Sequence, residues 1–477
     1  MTGRPSPCLT IADIADATGG TLLRGSMNEK IYGVSTDTRD LRTGNLFIPL
    51  RGPNFDGHDF IAGAVDRGAR AFLAERRKRG GIPAFSGEIA WIEVGDTLAA
   101  LGDIARCWRK RFENPVIAVT GSAGKTTTKE MIASICSLDR NILKTEGNFN
   151  NLVGLPLTLL KLRDGIDLAI VELGTNAPGE IERLASLAGP SIGVITCIGP
   201  AHLEGLGTVT DVREEKGKLF EVMAGEGIAV LNLDDPEIAV LAGRWKGRRI
   251  TCSLSGPADI TAENIRPADG WKTAFTLHIR GIREDVVLAA PGLHNVRNAL
   301  AAAGAASAAG CDPGVIARGL NAVRPVTGRM EIEALGNGAH LIHDAYNANP
   351  LSVAEALNTL VNLSGDGRRI VILGDMLELG GKAPHFHGEI GRKLGRSGID
   401  TLFLKGEFAR LTAEAAVEAG MDRGRIFLFD GPDDAIPLLR EVKQGNAWIL
   451  LKGSRKMNLD ELIPGIRLLW ERQNDLK

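Results

Sequence analysis

The rhythm of apolar and polar positions changes twice along this chain of 477 residues. At first, short apolar runs (Lys30 to Val34, Leu46 to Leu50, Ala71 to Ala74, Ala90 to Val94) alternate with turn-forming residues, which predicts short strands. Asp59 is placed to cap a helix reaching about Arg67, and the basic run Arg76 to Arg79 reads as a solvated loop before Gly80-Gly81. From Asn114-Pro115 the runs lengthen. Val116 to Thr120, Leu168 to Val171 and Ile192 to Cys197 are almost continuously apolar, the pattern of parallel strands buried on both faces. The alanine tract Ala299 to Ala309 favours helix. A third rhythm begins after Arg324-Pro325. There Leu341 to His343, Ile370 to Leu373, Thr401 to Leu404, Ile426 to Phe429 and Trp448 to Leu451 alternate with helical stretches such as Pro350 to Leu363, where Pro350 suits a first helical turn. The expectation is an α/β chain of three domains: a small mixed α/β N-terminal domain over 1–112, a central P-loop ATPase-like parallel-sheet domain over 113–325, and a C-terminal Rossmann-like doubly wound domain over 326–477.

Charge and composition narrow the function classes. The 56 Lys+Arg and 58 Asp+Glu leave a net charge of −2, which removes the global basic field of a non-specific nucleic-acid binder. Six cysteines (Cys8, Cys107, Cys136, Cys197, Cys252, Cys311) form no C-x-x-C pair, so neither a zinc site nor a disulfide framework is expected. The start, MTGRPSPCLT, has no signal-peptide core, and no uncharged apolar run approaches the ~18 residues that span a bilayer. A cytoplasmic protein without stable membrane insertion is expected, and a monomer, since no segment announces an oligomeric interface. Glycine is the oddity: 59 residues, about 12 % against a usual ~7 %.

The glycines gather where chemistry is expected. Strand Val116 to Val119 runs into TGSAGKTTT, Thr120 to Thr128, followed by helix-compatible KEMIASIC. Glycines let backbone N–H groups face oxyanions, and a helix N-terminus adds a favourable dipole. Lys125 is placed to reach the outer phosphates of a nucleotide, and Thr126 to put a hydroxyl on Mg²⁺. The full phosphate-loop signature needs a glycine where this chain has Val119, so the match is to the shortened form G-x-x-G-K-T. The run Asp167 to Val171 ends in Glu172, and Ile192 to Ile198 is followed by Gly199-Pro200-Ala201-His202. Groups at strand carboxyl ends gather beside a phosphate loop, so Glu172 and His202 are candidate metal ligands, or else surface residues.

These motifs resemble those of the Mur ligases, ATP-dependent amide ligases of bacterial cell-wall precursor synthesis, and the resemblance covers nearly the whole chain. GNFNNLVGLPLTLL (Gly147 to Leu160), ELGTNAPGEI (Glu172 to Ile181), DAYNANP (Asp344 to Pro350) and GDMLELG (Gly374 to Gly380) are similar to the member that adds D-alanyl-D-alanine to UDP-N-acetylmuramoyl-tripeptide. The Asp-Asn-Pro-Arg motif of the diaminopimelate-adding relative is absent.

The resemblance implies ATP bound by Gly121, Ser122, Ala123, Gly124, Lys125, Thr126 and Thr127, with Asn295 at the adenine end near His294 and Asn298. It implies Arg329 at the γ-phosphate and Asp344 at the ribose, and two Mg²⁺ ions held by Thr126, Glu172 and His202. Lys216, in REEKGKLFE, otherwise reads as a solvated helix residue; the resemblance implies a carbamate. Lys125, Lys216, His202 and Arg329 are thus the expected catalytic group.

Ser35, Thr36, Asp37 and Arg39, in the segment Ser35 to Phe60 with Asn54, Gly57 and His58, are implied to hold the uridine diphosphate, with Asn148, Asn150 and Asn151. The dipeptide or a closing loop is implied to meet Asn347, Asn349, Lys452, Ser454 and Arg455. His387 matches a family histidine or is a helix-surface residue. Two other readings stay open: a folylpolyglutamate-synthase-like amide ligase, which has no use for the Ser35 to Phe60 segment, and a non-catalytic nucleotide switch.

Overall fold

Each rhythm builds its own main sheet, and in the first Cys8–Thr10 and Lys30–Tyr32 form a separate antiparallel pair. The computed structural model describes residues 7–85 and 87–471; the first six residues, part of the amino terminus read above as leader-free, lie outside the described residues. The first sheet orders the strands Thr21–Arg24, Ala90–Val94, Ala71–Glu75, Leu46–Phe47 and Val34–Ser35, parallel except for the first. Here the helix cap differs from expectation. Asp56, not Asp59, accepts the His58 N–H at 3.1 Å to start a single 3₁₀ turn, Gly57–Phe60, that runs into the helix Ile61–Asp66. Arg76 to Arg79 is solvated as expected, but it forms a 3₁₀ turn whose side chains pair with Glu93, Glu75 and Asp56.

The central sheet has nine strands. Val116–Thr120 lies between Leu168–Glu172 and Ile192–Ile195, parallel to both. The chain leaves it through the helix Lys125–Cys136 to the edge strand Ile142–Lys144 and returns by Leu168–Glu172. It then crosses to the other side for Ile192–Ile195, Ile228–Asn232 and Arg248–Ser253. That reversal opens a crevice beyond the carboxyl end of Val116–Thr120. Successive residues of the strand face opposite cores, Val116 and Ala118 one way, Ile117 and Val119 the other, as a sheet covered on both faces requires. The alanine tract belongs to the helix Leu293–Ala308, whose small side chains let it pack closely against both the sheet and the neighbouring helix Lys125–Cys136. An unforeseen extension completes the sheet. Ile260–Ala268 adds in parallel, and Lys272–Ile279 and Ile282–Leu288 follow as antiparallel hairpins.

The last sheet orders Glu331–Ala334, His340–Asp344, Ala447–Lys452, Arg368–Gly374, Thr401–Lys405 and Ile426–Leu428, parallel after its first strand. Its final strand, Ala447–Lys452, inserts between two earlier ones, so this sheet also has a reversal point, beside Asp344 and Lys452. Asn349 caps the helix Pro350–Ser364 there, accepting the Ser352 N–H at 2.8 Å. No helix among the described residues is long and apolar enough to cross a membrane.

The helix that starts at the phosphate loop is held from behind by a close crossing. A Cβ on Gly319, in the helix Pro313–Asn321, would lie 2.3 Å from Ile135 Cα. Gly319→Ala should therefore lower stability by about 2 kcal/mol, as overpacked contacts do. Gly81→Ala, with open space around it, should change little. Thermal unfolding of the two variants checks this, and equal midpoints would contradict it.

Candidate active site

The phosphate loop is shaped by steric exclusion. Gly121 has φ +150°, and a Cβ there would sit 1.9 Å from Thr196 Oγ1; Gly124 has φ +80°, with Asn298 Oδ1 2.4 Å from a hypothetical Cβ. The loop is tied to the neighbouring strand end: Ser122 N–H donates to Cys197 O at 2.8 Å, Ser122 Oγ to Gly199 O at 2.9 Å, and Ala123 N–H to Cys197 Sγ at 3.3 Å. Lys125 Nζ donates to Gly121 O at 2.7 Å, folding the lysine back over the loop. Loss of hydration depresses its pKa, opposed by the Glu172 carboxylate and reinforced by Arg329.

Beside the loop, Thr126 Oγ1 donates to Glu172 Oε2 at 2.8 Å, and Asn150 Nδ2 to Glu172 Oε1 at 2.8 Å. Glu172 is 2 % exposed, so it is no surface residue. No group of three or more His, Cys, Asp or Glu side chains among the described residues is arranged to hold a metal alone. The Thr126–Glu172 pair nevertheless fits Mg²⁺, a hard ion that usually takes one or two carboxylates and completes its shell with waters and substrate phosphates. His202 lines the same cavity as the loop, on backbone with φ 56°. Burial holds its pKa below the ordinary value, against the pull of a hydrogen bond to Glu378.

Lys216 is 1 % exposed rather than solvated. No hydrogen bond or ion pair reaches its amine among the described residues. Burial, and then the charge of Lys125, push its pKa down to about 7. Its neighbour Glu215 explains why this polar stretch is inside. The Glu215 carboxylate accepts N–H groups from Gly179 and Ile181, both at 2.8 Å, at the start of the helix Glu180–Ala188.

The last sheet closes the crevice, a cavity of about 630 Å³ lined from both sheets by Lys125, Glu172, Asn295, Arg329, Asp344 and others. Arg329 lies over the Tyr346 ring, 4.2 Å from its centre. Asp344 lines the cavity but is also structural: Oδ2 accepts from the buried Lys452 Nζ at 2.6 Å, and Oδ1 from Met330 N–H at 3.1 Å. Asn295 donates to Pro291 O at 2.7 Å, and His294 stands near Glu355.

Of the expected dipeptide contacts, Asn347 lines the cavity. Asn349 lines it too, but its side chain is spent on the helix cap and on Ser122 O at 3.1 Å. Lys452 lines it as well while holding Asp344, Ser454 Oγ accepts from Leu377 N–H at 2.9 Å, and Arg455 pairs on the surface with Asp460. His387 is not on the surface: it is 2 % exposed and accepts the Met376 N–H at 3.1 Å, bracing the GDMLELG loop.

Ser35, Thr36, Asp37 and Arg39 do not line this cavity. They form a turn at the first sheet's edge. Ser35 Oγ donates to Asp37 O at 2.7 Å, and Asp37, held at a pKa of about 2 by Arg39, pairs with that arginine. His58 is an internal brace between Asp56 and the Glu75 N–H. Asn148, Asn150 and Asn151 do line the cavity, although Asn151 also accepts the Gly154 N–H at 2.9 Å. Sequence reasoning missed Thr196, Cys197, Tyr346 and Asp235. The last had a signal, an acid before Pro236 at a helix start.

Three family descriptions match: "Mur ligase family, catalytic domain" at residues 30–109, "Mur ligase middle domain" at 119–306 and "Mur ligase, glutamate ligase domain" at 328–455. The UDP-N-acetylmuramoyl-tripeptide–D-alanyl-D-alanine ligase of Bacillus subtilis is 35 % identical over 455 residues, 95 % of this chain and 97 % of that one. The chain belongs to the Mur ligase family. Among solved Mur ligases, the crystal structure of MurF from Acinetobacter baumannii is 30 % identical with a TM-score of 0.88, covering 97 % of this chain and 100 % of that one. MurF from Thermotoga maritima, solved in complex with ADP, is 26 % identical with a TM-score of 0.79 and covers 92 % and 97 %. The three-domain α/β architecture is that of these Mur ligases.

The Asp344–Lys452 pair carries a stability prediction. Lys452 is 1 % exposed, so Asp344→Ala strands a buried ammonium and should lower stability by about 3 kcal/mol. Denaturant unfolding without nucleotide measures it. A shift no larger than that of Asp433→Ala, at an exposed position, would contradict it.

Proposed function

We propose that this Mur ligase joins D-alanyl-D-alanine to the terminal carboxylate of UDP-N-acetylmuramoyl-tripeptide at the expense of ATP, giving the pentapeptide, ADP and phosphate. The observation that carries the reading is the single cavity in which the phosphate loop of one sheet faces Arg329 and Asp344 of the next. It is supported by the relatives that match along nearly all of the chain.

In the first step a carboxylate oxygen of the tripeptide attacks the γ-phosphorus, the bond to the β-phosphate oxygen breaks, and ADP leaves. In the second, the amine of the dipeptide attacks the acyl carbon, loses a proton, and phosphate departs. Both steps gather anions, so the work of the chain is electrostatic and positional. Lys125 and Arg329 neutralise charge on the transferred group, the loop's N–H groups hold the β- and γ-phosphates, and Asp344 and Asn295 orient the nucleoside. Mg²⁺, for which Thr126, Glu172 and His202 are the ligands we assign, supplies charge neutralisation at the phosphates when bound.

Asp37 keeps Arg39 aimed at the uridine diphosphate, and Asn148, Asn150 and Asn151 lead the peptide toward the cavity. The substrates are those of the cytoplasmic stage of bacterial wall synthesis, so the cytoplasm is the assigned compartment. A neutral Lys216 amine adds to CO₂, losing one proton, to give a carbamate anion facing Lys125. That replaces cation–cation repulsion by attraction.

ADP release in the presence of UDP-N-acetylmuramoyl-tripeptide should require D-alanyl-D-alanine for sustained turnover. Release indifferent to the dipeptide would rule the ligase out and favour a nucleotide switch, while turnover with folate and glutamate would favour the folylpolyglutamate-synthase-like reading. Lys216→Ala should lower kcat by about 100-fold or more, the scale of a lost electrostatic group, with partial recovery in bicarbonate or a short carboxylic acid. Wild-type kcat in that variant would refute the carbamate.

A further inference from the structure

His202 is held from the other side of the crevice. Its Nδ1 lies 2.6 Å from Oε2 of Glu378, which belongs to the last sheet's GDMLELG loop, 176 positions away in sequence. A carboxylate accepts and cannot donate, so the proton sits on Nδ1 and the lone pair of Nε2 is left free, on a side chain that lines the same cavity as the phosphate loop. Nε2 has no partner among the described residues. The contact is built on both sides. His202 and Glu378 both adopt left-handed backbone, φ 56° and 64°, which non-glycine residues avoid unless the surroundings impose it.

Two further contacts seat the loop: Glu204 N–H donates to Glu378 O at 3.0 Å, and Gly380 packs so closely that a Cβ there would lie 3.0 Å from Glu204 Cα. Behind it, His387 and Ser454 accept the N–H groups of Met376 and Leu377, so the loop is braced from within its own domain. The Glu378 side chain, 47 % exposed, gains little from burial there, whereas that of His202 is 15 % exposed.

We propose that Glu378 is a positioning residue, lent by the last domain to the central one, that fixes the tautomer and ring orientation of His202 for metal binding only while the two domains are docked. The proposal rests on the assignment of His202 as a magnesium ligand. A carboxylate behind a ligating histidine raises its basicity and locks its ring, and loss of such a partner typically costs about 10- to 100-fold in metal affinity or activity.

The test uses Mn²⁺ in place of Mg²⁺, titrated by electron paramagnetic resonance into the full chain with a non-hydrolysable ATP analogue. Glu378→Ala should bind Mn²⁺ about 10- to 100-fold more weakly. Glu378→Gln, which keeps a carbonyl acceptor, should recover most of that affinity. The ¹⁵N resonances of His202, assigned by their loss in His202→Ala, should report an Nδ1–H tautomer in the wild type and a mixture in Glu378→Ala. If His202→Ala weakens Mn²⁺ binding but Glu378→Ala does not, the role of Glu378 is overturned and the metal assignment stands. If His202→Ala binds Mn²⁺ as the wild type does, the assignment fails and the proposal with it, while dipeptide-dependent ADP release still gauges the ligase reading separately.

Discussion

Positive charge held out of water sets the terms for the crevice. Lys125 and Arg329 line the crevice, and the buried Lys216 lies near enough to feel the charge of Lys125. The acids of the lining, Glu172, Glu180, Asp234, Asp235, Asp344 and Glu355, are already engaged by hydrogen bonds or ion pairs of the fold. Glu172 is engaged by Thr126 and Asn150, and Glu215 by the helix start at Gly179 and Ile181. A desolvated cation is costly until an anion joins it. The lowered pKa values of Lys125 and Lys216 follow from that cost. A polyphosphate and a carboxylate relieve it, so the site favours substrates that would repel each other in solution.

That arrangement depends on two sheets meeting at their reversal points. Val116–Thr120 and His340–Asp344 each end beside a strand inserted out of chain order, and each sheet contributes what the other lacks. The central one supplies backbone donors and lysines; the last supplies Arg329, Asp344 and the Glu378 brace. Asn349, which caps its own helix and donates to Ser122 O, makes the link direct. Movement of the last domain displaces an atom bonded to the phosphate loop itself.

Much of this could be read from local pattern. The loop TGSAGKTTT behind an apolar strand and the helix opened by Asn349-Pro350 are decided by residues within a few positions, and both appear where expected. What escaped was decided at long range. The strand Ile282–Leu288 carries charges on its exposed face and was passed over because the hairpin partner that orders it lies upstream. Lys216 looked solvated because REEKGKLFE is polar throughout; Glu215 is drawn inside by N–H groups more than 30 positions away, and Lys216 follows. Asp56 displaced Asp59 as cap because His58 must reach Glu75. Ser454 and His387 carry the polar side chains of site residues but brace the GDMLELG loop, and Lys452 lines the cavity while also holding Asp344, distinctions that only their partners reveal.

The most direct test of the account is the fate of the tripeptide's carboxylate oxygen. With both oxygens of that carboxylate labelled with ¹⁸O, attack on the γ-phosphorus predicts that each phosphate released in the presence of D-alanyl-D-alanine carries one ¹⁸O, read by the isotope shift in its ³¹P spectrum. Release of unlabelled phosphate alongside amide formation would mean that the carboxylate never met the γ-phosphate, and the role given to this crevice would be wrong.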